Sequence, residues 1–105
     1  MIELTKENFE DEVLKAEGYV FVDFYGDGCV PCANLRPHVD ALAEKYAGSF
    51  KFTALNTSKA RRVAIGQRVL GLPVLAMYKD GEKLSELVGE NATPGNIEAM
   101  LKEYI

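Results

Sequence analysis

The chain has 105 residues, of which 48% are hydrophobic and 27% charged, and its formal net charge is −4. This length and composition predict one globular domain, residues 1–105, that buries about two-thirds of the surface its unfolded chain would expose. The acidic charge argues against nucleic acid as a partner, which needs a concentrated basic face, and no apolar run approaches the roughly 18 residues of a membrane span.

The first two elements predicted along the chain are a short strand near residues 2–4 and a helix from about residue 6 to residue 16. Thr5 has the hydroxyl of a helix N-cap, and Gly18 follows where the helix is expected to stop.

The stretch from Tyr19 to Tyr25 (YVFVDFY) is apolar almost throughout, which is typical of a central strand covered on both faces. Asp23 breaks this pattern, and burying a lone carboxyl costs several kcal/mol unless it has a partner. Asp23 is therefore either satisfied at the strand end by backbone or water, or it is a buried general base with a raised pKa.

A long helix is predicted from Pro31 to about Tyr46, and Gly48 ends it. Pro37 lies inside this helix, so we expect a kink there because a proline removes one backbone hydrogen bond. The inward face is predicted to carry Leu35, Val39, Leu42, Ala43 and Tyr46.

A strand over residues 50–56 comes next, followed by a shorter helix from about residue 59 to residue 68 with Thr57 or Ser58 as its cap. The stretch SKARRVAIGQR, residues 58–68, carries four basic residues. These form either a solvated helix face or a surface for an acidic partner.

The segments 73–79 and 83–89 flank the sequence KDGE, and an Asp-Gly pair between apolar segments predicts a β-hairpin. Thr93 is the predicted cap of the last helix and Pro94 lies in its first turn. The buried face of this helix is predicted to carry Ile97, Met100, Leu101 and Tyr104.

The predicted order is β-α-β-α-β-α-β-β-α. Strands that alternate with helices pair in parallel through right-handed crossovers, and the final hairpin adds antiparallel strands. The fold class is therefore α/β, with a central mixed sheet and helices on both of its faces.

The two cysteines of the chain, Cys29 and Cys32, have the spacing Cys-x-x-Cys. A structural zinc site needs four ligands, and His38 is the only further candidate, at an unfavourable spacing. A structural staple closing so short a loop would stabilise the fold little. The remaining interpretation is that the two cysteines form a redox-active pair next to a β-α unit.

The predicted helix begins at or just after Cys29, so its sulfur meets unpaired N–H groups and the positive end of the helix dipole. Both favour the thiolate, which is the nucleophilic form. Pro31 restricts the loop between the sulfurs, and Cys32 lies one turn deeper, where it is shielded. Asp23 is within reach of this helix start and could take the proton of Cys32.

The first ten residues, MIELTKENFE, lack the layout of a secretory signal, and we expect a protein that begins there to stay in the cytoplasm. Disulfides are rare in that compartment, and those that occur are usually transient and catalytic.

The chain resembles the thioredoxin family over nearly its whole length. The matching features are VDFY before the cysteines, the Cys-x-Pro-Cys motif, Pro37 within the helix, GLPV, the KDGE hairpin and the VGE loop. Each is weak alone, but in this order and spacing they are highly specific, and they imply the thioredoxin fold.

The resemblance implies an enzyme that reduces protein disulfides through a mixed disulfide, with Cys29 as nucleophile, Cys32 as resolving thiol and Asp23 in proton transfer. It implies disulfide-containing proteins as substrates and a flavoprotein reductase as electron donor. No cofactor, metal, nucleic-acid or membrane partner is expected, and the protein is expected to be a monomer. The alternatives are a disulfide oxidase or isomerase, and a binding module without electron transfer.

The resemblance also implies an apolar substrate surface next to the disulfide, with a cis peptide bond before Pro73. Leu72 and Val88 have a second interpretation as core residues. The implied loop and surface residues are Gly28, Val30, Pro31, Leu72, Pro73, Val88 and Gly89.

Three positions, Gly28, Val30 and Ala54, depart from the family pattern. Gly28 stands where a tryptophan is usual, which should expose the disulfide, and Val30 adds apolar area; this Gly-Cys-Val-Pro-Cys loop resembles thioredoxins of amino-acid-fermenting anaerobes. Ala54 stands where family members commonly have a lysine that pairs with the buried aspartate, so either Asp23 does not transfer the proton or its pKa is raised more strongly. Asp27 should oppose the thiolate.

Overall fold

Five strands form one mixed sheet at the centre of the computed structural model, which describes residues 1–105. The strand order across the sheet is β1-β3-β2-β4-β5. The strands are β1 (Ile2–Leu4), β2 (Tyr19–Tyr25), β3 (Lys51–Asn56), β4 (Val74–Lys79) and β5 (Glu82–Val88).

Strand β2 lies in the middle of the sheet, as its apolar sequence predicts. It pairs in parallel with β3, which also pairs in parallel with β1, and antiparallel with β4, which pairs antiparallel with β5. The register sets Asp23 beside Ala54 of β3 and Leu75 of β4.

Three α-helices and three shorter turns connect the strands. The α-helices are α1 (Val30–Lys45), α2 (Arg61–Gly66) and α3 (Pro94–Lys102). The shorter elements are a π-helical turn at Glu10–Leu14 and 3₁₀ turns at Thr57–Lys59 and Gly89–Asn91. No helix combines the length and the apolar composition that crossing a membrane requires.

The helices cover both faces of the sheet, which confirms the predicted α/β class. Alternate residues of β2 enter two different clusters of buried side chains. Val20, Val22 and Phe24 pack with residues of the π-helical turn and α2, whereas Phe21 packs with residues of α1 and α3. The helix α1 therefore lies over the sheet face that carries Phe21.

The first predicted helix is shorter than expected. Thr5 caps a turn, since the Asn8 N–H donates to its Oγ1 at 3.3 Å and the Thr5 N–H donates to Asn8 Oδ1 at 2.7 Å. The chain then widens into the π-helical turn, where the Lys15 N–H bonds to the Glu10 carbonyl. Phe9 and Val13 are both buried in the core, as their spacing on one helix face suggests. Gly18 has a φ of +77° and ends the segment as predicted.

The helix predicted at 59–68 begins later, and neither proposed cap is correct. Asn56 accepts the Ser58 N–H and caps a 3₁₀ turn instead. The hydroxyl of Thr57 donates to the Tyr25 carbonyl at 2.9 Å, and the hydroxyl of Ser58 accepts the Asp27 N–H at 3.0 Å. One hydroxyl thus bonds to the last residue of β2 and the other to the loop that follows it.

The other predicted elements agree with the structure within a residue or two. The hairpin turns at Asp80 and Gly81, both with positive φ, which is the type I′ geometry. Thr93 Oγ1 accepts the Asn96 N–H at 3.1 Å and caps α3. Helix α1 runs through Pro37, and the kink expected there stays a prediction.

Candidate active site

A disulfide joins Cys29 and Cys32 at the start of α1, with an S–S distance of 2.09 Å and a Cα–Cα distance of 5.3 Å. The loop that carries it follows the carboxyl end of β2, in the middle of the sheet. Gly28, directly before Cys29, has a φ of +74°, a conformation that glycine adopts without strain.

The two sulfurs occupy unequal environments, as the sequence predicts. Cys29 is the N-cap residue of α1, and its Sγ accepts the Cys32 N–H at 3.3 Å. Cys29 is half-buried, whereas Cys32 is only 5% exposed. Negative charge on the outer sulfur would face the positive end of the helix dipole.

Asp27 is held by residues at the end of β3 and in the 3₁₀ turn that follows it. Its Oδ1 accepts a hydrogen bond from Asn56 Nδ2 at 2.9 Å, and its backbone N–H donates to Ser58. Gly26 lies below this loop, where an added Cβ would stand 2.9 Å from Leu72 Cδ1. A side chain at position 26 would therefore require Leu72 to move.

Asp23 is buried on β2, with 3% of its surface exposed. Burial disfavours the carboxylate and raises its pKa to about 6, although Arg36 acts in the opposite direction. The predicted direction of this pKa shift is confirmed. Asp23 has a side-chain partner, since Arg36 Nε donates to its Oδ2 at 3.3 Å.

Sequence reasoning missed Arg36. Asp23 was expected to lack an opposite charge because Ala54 stands where the family has a lysine, and this expectation was wrong: α1 supplies the cation instead. One signal was present in the sequence, since Arg36 follows Cys32 by four residues and so lies on the same helix face.

Tyr25 and Glu3 complete this side of the site. The Tyr25 hydroxyl donates to Glu3 Oε2 at 2.6 Å, and Arg36 Cζ lies 4.7 Å from the centre of the Tyr25 ring. Burial and the nearby Glu3 raise the pKa of Tyr25 to about 12. An open groove runs beside the disulfide here, lined by Tyr25, Gly26, Asp27, Gly28, Cys29, Val30, Cys32, Ala33 and Arg36.

The segment before β4 lies close to Pro31, the residue between the two cysteines that precedes Cys32. The Leu72–Pro73 peptide bond is cis, as the family resemblance implies. The Pro73 carbonyl accepts the Gly89 N–H at 2.8 Å, which ties the end of β5 to this segment. Pro31 lines a second groove together with Pro73 and Gly89, so three of the residues predicted for the substrate surface lie together.

The remaining surface residues differ in exposure. Val30 is 65% exposed and Val88 is 41% exposed, so the interpretation of Val88 as a core residue was wrong. Leu72 is half-buried and packs against the core, where its side chain covers Gly26. The structure contains no group of three or more His, Cys, Asp or Glu side chains arranged to hold a metal ion.

Comparison with known proteins gives one consistent result. A family model described as thioredoxin matches residues 1–103. The chain is 52% identical to a thioredoxin of Acetoanaerobium sticklandii over 105 residues, covering 100% of both chains. It is 50% identical to a thioredoxin of Peptoclostridium acidaminophilum over 105 residues, covering 100% of this chain and 96% of the relative. A thioredoxin of Porphyra purpurea is 34% identical over 104 residues, covering 98% of this chain and 95% of the relative.

Proposed function

The chain belongs to the thioredoxin family, and we propose that Cys29 is its attacking thiol and Cys32 its resolving thiol. The chain is a protein-disulfide oxidoreductase whose redox centre is the Cys29–Cys32 pair. The observation that carries the assignment of roles is the inequality of the sulfurs: one caps a helix and is accessible, and the other is buried.

In the first step, the thiolate of Cys29 attacks one sulfur of a substrate disulfide. A bond forms between this sulfur and Cys29 Sγ, and the other substrate sulfur leaves as a thiolate that takes a proton from solvent. The N-terminus of α1 lowers the energy of the attacking thiolate, because its free N–H groups and dipole favour negative charge.

In the second step, Cys32 loses its proton and attacks Cys29 Sγ. The Cys29–Cys32 disulfide forms while the mixed disulfide breaks, and the second substrate sulfur leaves as a thiolate that takes a proton from solvent. Over the two steps, two electrons pass to the substrate disulfide. Asp23 accepts the proton of Cys32. A carboxyl group whose pKa is about 6 is largely ionised at neutral pH and can serve as a base.

The substrate chain lies across the apolar surface beside the disulfide. Val30 and Val88 expose apolar side chains there, and Pro31 and Pro73 line the adjoining groove. Leu72 covers Gly26 of the disulfide loop. Gly28 and Gly89 have positive φ angles, so they allow the backbone turns on either side of this surface. Burial of the exposed valines against a substrate contributes affinity in proportion to the apolar area removed from water.

Membership of the family implies disulfide-containing proteins as substrates and a reductase that restores the dithiol. We assign the reductase to the flavoproteins and place residues 1–105 in the cytoplasm as a single monomeric domain, since a compartment that keeps thiols reduced suits a disulfide reductase. The alternative functions, an oxidase or isomerase and a binding module, are not favoured by the family match together with a formed cysteine pair.

The assignment of the two thiols is tested by trapping. The Cys32→Ser variant, mixed with insulin, should accumulate a covalent complex that a reducing agent dissolves, because the resolving thiol is missing. The Cys29→Ser variant is the matched control and should form none. A complex formed by the Cys29→Ser variant and not by the Cys32→Ser variant would reverse the two roles.

A further inference from the structure

Arg36 is the one cation in contact with the buried carboxylate. Its Nε donates to Asp23 Oδ2 at 3.3 Å, and its side chain is 31% exposed while that of Asp23 is 4% exposed. Arg36 also lines the groove beside the disulfide together with Cys32. It therefore reaches from the solvent-facing groove to the carboxylate within the fold.

Tyr25 and Glu3 hold Arg36 in this position. The Arg36 guanidinium lies over the Tyr25 ring, with Cζ 4.7 Å from the ring centre, and an aromatic face attracts a cation. The Tyr25 hydroxyl in turn donates to Glu3 Oε2 at 2.6 Å, which fixes the tyrosine from strand β1. Three elements, β1, β2 and α1, thus converge on one arginine.

The other charges near Asp23 act against its ionisation. The negative charges of Asp40 on α1 and Glu3 on β1 both disfavour the ionised form of Asp23, and burial disfavours it more strongly. The neighbour of Asp23 on β3 is Ala54, and its neighbour on β4 is Leu75, so neither adjoining strand supplies a charge beside it. Arg36 is the charge that offsets these effects.

We propose that Arg36 is a positioning residue of the exchange reaction, which orients the Asp23 carboxylate and keeps it ionised so that it can accept the proton of Cys32. The inference rests on the proposed role of Asp23 as the base. It follows that Arg36, which lies on α1 together with Cys32, determines the pH range in which Cys32 can resolve the mixed disulfide.

The positive charge of Arg36 favours the ionised form of Asp23, so its removal should raise the pKa of Asp23. Replacing Arg36 by methionine removes the cation but keeps an unbranched side chain over Tyr25, and the pKa of Asp23 should rise by about 1. The resolution step should then slow about fivefold at pH 6 and be almost unchanged at pH 8, where Asp23 is ionised in both proteins. A merely structural role would slow the step equally at all pH values.

Two measurements test the inference. The pKa of Asp23 is read by NMR titration of ¹³C-labelled aspartate carboxyls in the oxidised protein, where the cysteines do not titrate. The resolution rate is read by stopped flow with excess 4,4′-dithiodipyridine, which releases one thiopyridone when Cys29 attacks and a second when Cys32 displaces the mixed disulfide.

The variants are Arg36→Met, Arg36→Gln and Arg36→Lys, with Arg62→Met as a control for the same loss of charge on the exposed surface of α2. Lysine should restore the pKa and the pH profile in large part, and Arg62→Met should change neither. Arg36→Gln provides a second neutral variant should the methionine protein fail to fold.

The outcomes separate the two hypotheses. An unchanged pKa of Asp23 in both neutral variants overturns the inference about Arg36. If the pKa rises but the pH profile of resolution does not follow it, Arg36 still controls the carboxylate, and the proposed role of Asp23 as the base is wrong. Both hypotheses are supported if the pKa of Asp23 rises in the neutral variants, the pH profile of the resolution rate moves by the same amount, and Arg36→Lys reverses both changes.

Discussion

The backbone N–H of Cys32 donates to Sγ of Cys29 across 3.3 Å in the first turn of α1. The same sulfur lies at the end of the helix where negative charge is favoured, whereas the sulfur of Cys32 belongs to a residue that is 5% exposed. The two thiols of the reduced protein should therefore differ in both acidity and access.

The reduced protein should react with iodoacetamide at Cys29 at least about tenfold faster than at Cys32 at neutral pH, since reactivity follows the thiolate fraction and access. Mass spectrometry of the digested protein measures the two rates. The urea-unfolded protein is the control, in which the rates should converge. Equal rates in the folded protein would remove the basis for assigning different roles to the two thiols.

Burial of Asp23 should make the fold less stable as the pH rises. Its pKa is about 6 in the folded protein against 3.8 for the free group, so the folded state binds more protons than the unfolded state between these values. Stability is therefore lost as the pH rises from about 4 to about 6, and the ionised carboxylate costs about 3 kcal/mol at pH 7.

The Asp23→Asn variant should accordingly be more stable than the parent by about 2–3 kcal/mol at pH 7 and equally stable below pH 4. Urea unfolding of both oxidised proteins at the two pH values measures this difference. A variant less stable than the parent at pH 7 would mean that the pair with Arg36 outweighs the effect of burial.

The fold could be predicted from the sequence because hydrophobic pattern and turn residues act locally. The apolar stretch of β2 and the Asp-Gly turn of the last hairpin are examples. The helix caps at Thr57 and Ser58 were predicted wrongly because their hydroxyls bond to Tyr25 and Asp27. Those partners are 32 and 31 residues away in the chain, so a local pattern contains no sign of them.

In the active site, too, local sequence features could be predicted and contacts between distant residues could not. The Cys-x-x-Cys spacing and an acidic residue in an apolar strand identify Cys29, Cys32 and Asp23 as candidates. The pair between Asp23 and Arg36 joins residues 13 positions apart and depends on how α1 packs on the sheet. No cation was expected beside Asp23, because Ala54 stands where the family has a lysine, and the packing of α1 on the sheet supplies one.

Replacing Gly26 by alanine should disturb the loop that carries the disulfide. The added Cβ would stand 2.9 Å from Leu72 Cδ1 and 3.2 Å from Ser58 Oγ, so Leu72 must move. We expect a loss of about 1–2 kcal/mol in the free energy of unfolding, as for other overpacked sites. Gly48→Ala is the matched control, because a Cβ there meets no atom within 4 Å. Thermal and urea unfolding measure both variants, and equal stability of the two would show that Leu72 yields without cost.

Val88 should contribute to the recognition of protein substrates and not to the chemistry of the disulfide. It is 41% exposed beside the segment that carries Pro73, and it makes no contact that the exchange reaction needs. Covering half of a valine side chain stabilises a complex by about 1 kcal/mol, so Val88→Ser should raise KM for insulin about fivefold while leaving the rate with 4,4′-dithiodipyridine unchanged.

Ile65 on α2 is 66% exposed, and Ile65→Ser removes a comparable apolar side chain away from the disulfide as a control. Should both variants reduce insulin like the parent, Val88 lies outside the surface that the substrate covers; should Val88→Ser also slow the small disulfide, its effect passes through the redox centre itself.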